Sequence, residues 1–144
     1  MKTISHSVKF FLALGKTQSI ITHRLDRGLG GLSFNEFLIL NYLEQEESKK
    51  MRRVDLAEKI GMTASGVTRL LLPMEKVHVI KSGPVEQDAR VRFVTITTAG
   101  KEKLDHALER LDYLAGEVLS DLKDKEIEAL SKTLIDIGGK AMMS

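Results

Sequence analysis

Two short helical patterns separated by a tight turn constrain the fold more than any other feature of this sequence. The first pattern covers residues 54–60, two helical turns whose apolar residues fall on one side. Gly61 supplies the turn, because glycine readily adopts the backbone conformation that closes a helix. Thr63 can then cap a second helix through its hydroxyl. Two short helices joined by a glycine-containing turn predict a helix-turn-helix.

The second helix of this pair has two chemically different faces. At about 100° per residue, one face carries the four apolar residues Val67, Leu70, Leu71 and Met74. Ser65 and Arg69 fall on the opposite face. Pro73 lacks the amide that would bond back to residue 69, so we expect this helix to bend or to end early.

Beyond this helix the pattern changes to a period of two. Residues 79–81 and 92–97 are β-rich, and the segment between them contains Gly83, Pro84 and the polar residues 86–88. This pattern predicts a β-hairpin with a long, mobile tip. A hairpin directly after a helix-turn-helix is a wing.

Helical patterns also precede this core. Apolar residues recur at helical spacing from residue 4 to about 29, and Ser33 with Glu36 has the spacing of a capping box for a helix over 33–45. The apolar stripe of that helix is predicted to consist of Phe34, Phe37, Leu38 and Tyr42. The polar residues 45–50 are predicted to form an exposed connection.

Two further helices are predicted after the hairpin, the first capped by Thr97 or Thr98 and the second beginning at Asp124. The predicted fold is mainly α with a small β-hairpin, a winged helix-turn-helix core between N- and C-terminal helices. We treat the chain as one domain. Its predicted parts are a DNA-binding lobe and two dimerisation segments, at residues 32–100, 1–31 and 101–144.

Composition excludes several classes of function. The chain has no cysteine among its 144 residues, which excludes disulfides, thiolate catalysis and zinc–cysteine sites. No apolar run is long enough to span a membrane, and no leader pattern is visible, so we expect a cytoplasmic protein. No metal, cofactor or catalytic site is predicted, because no two of the four histidines have ligand spacing: His6, His23, His78 and His106.

Charge is concentrated in the middle of the chain. Residues 49–92 contain ten Lys/Arg and five Asp/Glu, against five and five in residues 1–48 and seven and ten in residues 93–144. The middle third therefore carries +5 and the flanks carry 0 and −3. A basic segment that coincides with a helix-turn-helix and a wing indicates a nucleic-acid partner.

Over residues 54–100 the sequence resembles the MarR family of transcriptional regulators. The helix-turn-helix part of the resemblance lies in residues 55–61 and 66–71. The wing part is the Asp-Ala-Arg of residues 88–90, followed by the Val-Thr-Ile-Thr run and glycine of residues 94–100. Two positions depart from the family pattern. Ala89 stands where many members have a second basic residue, and His78 stands where glycine is usual.

Four residues at the start of the second helix are candidates for reading DNA, because this part of a helix-turn-helix enters the major groove. They are Thr63, Ser65, Thr68 and Arg69. Arginine can bond bidentately to guanine, whereas the hydroxyls can contact bases or phosphates. The alternative interpretation is that Thr63 and Ser65 only cap the helix.

In the wing, Arg90 is the candidate for the minor groove, whose narrow regions concentrate negative potential. The family resemblance implies that Asp88 helps to hold this arginine. Lys81 and Arg92 are candidate phosphate contacts, the alternative being ordinary solvated charge on a strand. Four more candidate phosphate contacts precede the helix-turn-helix: Lys49, Lys50, Arg52 and Arg53.

The resemblance implies a sequence-specific regulator, most often a repressor, that releases DNA when a small anionic or aromatic effector binds. The alternatives are a winged-helix module for non-specific DNA binding or protein contacts, and an enzyme, for which no site can be assigned. The flanking helices carry more apolar positions than the core can cover, which predicts a homodimer. A twofold dimer predicts an inverted-repeat operator in double-stranded DNA.

Overall fold

A computed structural model describes residues 2–85 and 88–144, and it describes the side chains of all of these except residues 84, 85 and 88–91. The described elements are six helices and a three-stranded sheet: α1 (His6–Gly28), α2 (Phe34–Gln45), β1 (Lys50–Arg52), α3 (Arg53–Ile60), α4 (Ala64–Lys76), β2 (Ile80–Val85), β3 (Asp88–Ile96), α5 (Thr98–Val118) and α6 (Asp124–Met142). In the described part of the chain, no helix is long and apolar enough to cross a membrane.

The predicted helix starts are confirmed at two of the three sites where side-chain capping was expected, and the third, Thr63, is described below with its helix. The Ser33 hydroxyl accepts from the Glu36 amide at 3.1 Å, and the Glu36 carboxylate accepts from the Ser33 amide at 2.8 Å. Thr97, rather than Thr98, caps α5, because its hydroxyl accepts from the Gly100 amide at 3.0 Å. Each bond satisfies an amide that has no partner within its helix.

Helix α2 lies at the centre of the core, and of the stripe predicted for it only Phe37 is buried. Its buried residues are Phe37, Ile39, Leu40 and Leu43. Phe34, Leu38 and Tyr42 are only partly buried. The helix contacts α1, α3, α4, β1 and β3, so neighbours surround it and no single stripe marks its buried side.

The sheet contains a third strand that the sequence did not indicate. Its order is β1-β3-β2 and both pairings are antiparallel, with Met51 opposite Val94 and Ser82 opposite the same residue. Strand β1 falls in and just after the segment predicted to be an exposed connection. Three residues are too few for a period of two to stand out, and only Met51 of the three is buried.

The hairpin strands are longer than predicted. Strand β2 continues to Val85 and β3 starts at Asp88, with these two residues paired. Only residues 86 and 87 separate the strands, and these two lie outside the described residues. Most of the residues expected in a long connection therefore belong to the paired strands β2 and β3.

The helix-turn-helix is confirmed. Helix α3 ends at Gly61, which has the left-handed conformation (φ 76°) and donates its amide to the carbonyl groups of Ala57 and Glu58. Thr63 caps α4, and the buried face of α4 carries Val67, Leu71 and Met74. Of the two outcomes expected for Pro73, a bend or an early end, the early end is wrong, because α4 continues to Lys76. Pro73 removes one backbone hydrogen bond, to the carbonyl of Arg69, and the burial of the apolar face of α4 offsets this loss.

The base of the wing is fixed by contacts between the start of α5 and the short segment that joins α4 to β2. The Val79 carbonyl accepts from the Thr97 amide at 3.1 Å, and the Thr97 hydroxyl donates to the His78 carbonyl at 2.7 Å. A Cβ added to Gly100 would lie 2.1 Å from the Val79 carbonyl oxygen. His78 has φ 64°, the left-handed region, which accounts for the glycine usual there in the resembled family.

The chain divides into two compact units, residues 1–111 and 112–144. The first contains α1 to α4, the sheet and most of α5. The second contains the end of α5 and all of α6, whose first turn is stabilised by Glu126 accepting from the Lys123 amide at 3.2 Å. Helix α6 has no buried residue.

We predict that Gly100→Ala destabilises the protein by about 1–3 kcal/mol, the usual cost of forcing extra atoms into a packed site. The added methyl group must displace the Val79 backbone or the helix itself, because neither neighbour is a flexible side-chain end. Urea unfolding monitored by circular dichroism measures the change.

The matched control is Gly116→Ala in the same helix, where an added Cβ meets nothing within 4 Å. That variant should be more stable by about 0.5–1 kcal/mol, because alanine loses less backbone entropy in a helix. Equal unfolding midpoints for Gly100→Ala and the unmodified protein would contradict the close contact.

Candidate nucleic-acid interface

The first turns of α4 are exposed on one side and anchored on the other. Thr63, Ser65 and Arg69 are exposed, and Thr68 is partly buried. The opposite face places Val67 and Leu71 at 0% exposure. The predicted faces of α4 are therefore confirmed. Burial of the apolar face in the core fixes the position of the polar face.

The hydroxyl groups on this helix are already engaged with the backbone or with each other. The Thr63 hydroxyl accepts from the Gly66 amide at 3.1 Å and lies 3.3 Å from the Ser65 hydroxyl. The Thr68 hydroxyl donates to the Ala64 carbonyl at 3.0 Å. Thr63 therefore has the capping role foreseen for it. Arg69 is the long, charged and exposed side chain on this face.

One face of the sheet is buried and the other is open. Val94 and Met51, which lie opposite each other, are buried at 0% and 7% exposure. Paired residues in an antiparallel ladder share a face, and faces alternate along each strand. The helices α2, α3 and α4 all contact the sheet. The buried face is therefore the helix side, and we call the opposite one the solvent face.

The solvent face carries a row of three polar residues. Lys50 is paired with Thr95, which is paired in turn with Lys81, and both lysines are exposed. In the next row, Arg52 is paired with Phe93. The Lys50 ammonium lies 5.2 Å from the centre of the Phe93 ring, a favourable cation–π distance.

Two arginines lie on the helix side of the sheet. Arg92 precedes Val94 by two residues and so points to the same face, but it is exposed because it lies beyond the edge of the core. Arg53, the first residue of α3, donates from Nη2 to the Ser82 hydroxyl at 3.3 Å. Its Nε is buried without a partner among the described residues. The Arg53 guanidinium is thus partly desolvated and held against the wing.

Two of the predicted phosphate contacts are paired with carboxylates of the chain itself. Arg52 donates twice to Asp55, at 2.8 and 3.1 Å, and this bond lowers the pKa of the Asp55 carboxyl. Lys49 lies 3.0 Å from Glu44, whose pKa is lowered chiefly by the hydrogen bond from Lys49. The positive charge of both residues is therefore partly compensated, whereas Lys50 and Lys81 form no ion pair with a carboxylate that the structure describes.

Asp88 and Arg90 belong to β3, but their side chains lie outside the described residues. The four histidines are all exposed, as expected. Within residues 2–85 and 88–144, no group of three His, Asp or Glu side chains could hold a metal ion.

Sequence reasoning missed the neighbourhood of Lys50 and Lys81, because it did not detect β1. The polar-apolar-polar order of residues 50–52 agrees with a strand, but three residues are too short a pattern to predict one. The exposed face of α4 and the cations of the sheet together form a surface that suits duplex DNA. The cations can contact its phosphates, and the polar side chains of α4 can contact the edges of its bases.

No family model matches the chain. The HTH-type transcriptional regulator MhqR of Bacillus subtilis (strain 168) is 24% identical over 139 residues, covering 92% of this chain and 91% of the relative. The HTH-type transcriptional repressor YetL of the same organism is 24% identical over 133 residues, covering 91% and 80%.

Solved structures with the same fold cover nearly the whole chain. The transcriptional regulator BldR of Sulfolobus solfataricus is 26% identical, with a TM-score of 0.80 and coverage of 94% of this chain and 99% of that chain. Sco3205 of Streptomyces coelicolor, a MarR family transcriptional regulator solved in complex with DNA, is 18% identical, with a TM-score of 0.82 and coverage of 96% and 89%. The PcaV transcriptional regulator of the same organism, solved in complex with its natural ligand, is 14% identical, with a TM-score of 0.84 and coverage of 98% and 99%.

Proposed function

We propose that this chain, which has the winged-helix fold of the MarR-family transcriptional regulators, binds duplex DNA sequence-specifically and regulates transcription. The observation that carries the proposal is the exposed polar face of α4, with Arg69 on an apolar anchor and a wing directly after it. A helix placed in this way presents its first turns to base edges in the major groove. The relatives support the proposal, since each is named a transcriptional regulator or repressor.

Each part of the surface has a proposed role. Arg69 reads a base, while Ser65 and Thr68 contact base edges or phosphates close to it. Thr63 caps α4 and contacts the backbone of the DNA. In the wing, Arg90 reaches the minor groove and Asp88 holds it there. Phosphate contacts are proposed for Lys49, Lys50, Arg52, Arg53, Lys81 and Arg92, and compensation by Asp55 and Glu44 makes Arg52 and Lys49 the weaker of these.

The proposed function includes the kind of regulation, which is repression. We propose repression with release by a small anionic or aromatic effector, the effector class that the family resemblance implies. The repressor name of YetL supports repression, and the natural ligand in the PcaV structure supports control by a ligand. The protein would then act in the cytoplasm and have no enzymatic role. Release of bound duplex by small aromatic carboxylates, measured by fluorescence anisotropy, tests the effector class, and indifference to all of them would contradict it.

The proposed function is tested by selecting duplexes from a random-sequence pool with the purified protein. A regulator should bind its preferred site about 10³–10⁷ times more tightly than random DNA. An inverted repeat with half-site centres about 10–10.5 base pairs apart is expected, and hydroxyl-radical footprinting should show minor-groove protection beside each half-site. Equal affinity for all duplexes would overturn the proposal.

Arg69→Ala should relax the preference at one base position in each half-site of the selected duplex. The loss there should be about 1–3 kcal/mol, because a bidentate contact to guanine discriminates by that amount. Affinities for single-base variants of the duplex measure it. Lys76→Ala, an exposed cation at the other end of α4, is the control and should leave the pattern unchanged. A uniform loss at every position would indicate that Arg69 contacts phosphate instead.

We also propose that the chain is a homodimer, with residues 1–31 and 101–144 as dimerisation segments and residues 32–100 as the DNA-binding lobe. Both compact units leave large apolar side chains exposed, more than a monomer in water usually tolerates. Many of them lie on α1, α5 and α6, among them Phe11, Leu12, Ile20, Tyr113, Val118 and Ile135.

Sedimentation equilibrium should give about twice the 16.1 kDa of one chain at micromolar concentration. Phe11→Asp should shift the mass toward the monomer, because it places a charge among apolar side chains that the partner covers. Gln45→Asp, at the exposed end of α2 and outside the proposed dimerisation segments, is the control for the added negative charge. A single-chain mass for the unmodified protein would refute the dimer.

A further inference from the structure

The hydroxyl group of Thr68 is occupied by the helix that carries it. It donates to the Ala64 carbonyl at 3.0 Å, one turn earlier in α4. A hydroxyl group has one hydrogen, so this bond leaves it none to donate to a base. Thr68 is partly exposed, and the branch of its side chain without a partner in the helix is the γ-methyl group. Thr68 therefore offers DNA chiefly a methyl group.

Two further aliphatic side chains lie in line with Thr68. Ala64 precedes it by four residues and Leu72 follows it by four, and residues spaced in this way are neighbours on the surface of a helix. Both are exposed, Leu72 to 53%. The buried residues of the same helix are exposed by 1% or less. These three residues, which we call the methyl line, thus belong to the exposed face of α4.

The methyl line runs beside Arg69. At about 100° per residue, Thr68 lies about 100° from Arg69 around the helix and Leu72 about 60° from it. Ser65 and Arg69 are four residues apart and form a polar strip next to the line. If Arg69 reads a base in the major groove, the methyl line therefore lies against the neighbouring base edges.

Thymine is the base whose major-groove edge matches an aliphatic side chain. Of the four bases, it alone has an apolar group there, the C5-methyl group. Contact between this group and an aliphatic side chain removes apolar surface of both from water. One exposed leucine would need no explanation. Three aligned methyl-bearing residues beside a proposed base-reading arginine form a surface that is complementary to thymine.

We infer that the methyl line reads thymine, with the Thr68 γ-methyl group and Leu72 each contacting a thymine C5-methyl group in the half-site. The inference rests on the proposed function and deepens it by assigning the base that α4 prefers beside the position read by Arg69. Residues 68 and 69 are adjacent, so the thymine contacted by Thr68 lies next to that position. Leu72 is one turn further along α4 and contacts a second thymine.

The test uses the duplex recovered by selection and a set of duplexes in which each thymine of the half-site is replaced in turn by deoxyuridine. The replacement is made in both half-sites. Deoxyuridine lacks only the C5-methyl group, so the base pair and every hydrogen-bonding atom of its edge are retained. Fluorescence anisotropy gives the affinity of the unmodified protein and of each variant for every duplex.

The variants separate the methyl group from the hydroxyl group. Thr68→Ser removes the γ-methyl group and keeps the hydroxyl, whereas Thr68→Val keeps a methyl group and removes the hydroxyl. Leu72→Ala shortens the methyl line. Val77→Ala is its control, because Val77 is an exposed aliphatic residue at the end of α4 and outside the line. All three positions are exposed or partly exposed, so each variant should keep its fold, which circular dichroism checks.

The unmodified protein should lose affinity by about fourfold per half-site when the thymine beside the Arg69 position is replaced, the effect of one methyl group that is no longer buried. Thr68→Val should show the same loss. Thr68→Ser should bind the thymine and deoxyuridine duplexes equally at this position. Leu72→Ala should abolish the effect at a second thymine, and Val77→Ala should leave both effects unchanged.

Deoxyuridine without effect at every position would overturn the inference and leave the proposed function intact, because the selected duplex would still be preferred. Loss of the effect in Thr68→Val but not in Thr68→Ser would also overturn it, since the hydroxyl group would then be the reading group. A Leu72→Ala variant that behaves like Val77→Ala would overturn the role of Leu72. A selection that recovers no preferred duplex would overturn the proposed function and the inference together.

Discussion

The arrangement of the proposed DNA-binding surface depends on the close approach of the first turn of α5 to the segment between α4 and β2. Gly100 lies against the Val79 carbonyl, a position that only a residue without a side chain can occupy. The same turn places Thr97 where its amide and hydroxyl bond to Val79 and His78. Because β2 starts at Ile80, this contact sets the position at which the wing begins after α4. A shift there would move every cation of the hairpin relative to Arg69.

Much of the fold could be predicted from the sequence because its signals are local. The Ser33–Glu36 capping box, the Gly61 turn and the Thr63 cap are each encoded within four residues, and all three are present. The resemblance at residues 94–100 also has a physical basis in the structure, since Thr97 caps α5 and Gly100 admits the Val79 carbonyl.

The features that were missed depend on contacts distant in sequence. Strand β1 exists because Met51 is buried opposite Val94, a partner more than forty residues away. Helix α2 is enclosed by neighbours that its own periodicity does not reveal. Among the basic residues, the sequence could not separate Arg52, bonded to Asp55, from Lys50 and Lys81, which share a row on the open face. The composition gives the number of basic residues, but only the structure shows which of them are paired with a carboxylate.

Strand β1 ends at Arg52 and α3 begins at Arg53, so no linker separates the sheet from the helix-turn-helix. The β1–β3 ladder therefore ties the wing to α3 on one side, while the hairpin itself continues from α4 on the other. Bending the wing alone would require breaking main-chain hydrogen bonds at its base. The sheet and the helix-turn-helix therefore form one stiff unit. Under the proposed function, a signal that releases DNA has to move this unit as a whole, by changing the distance or angle between the two units of the proposed dimer.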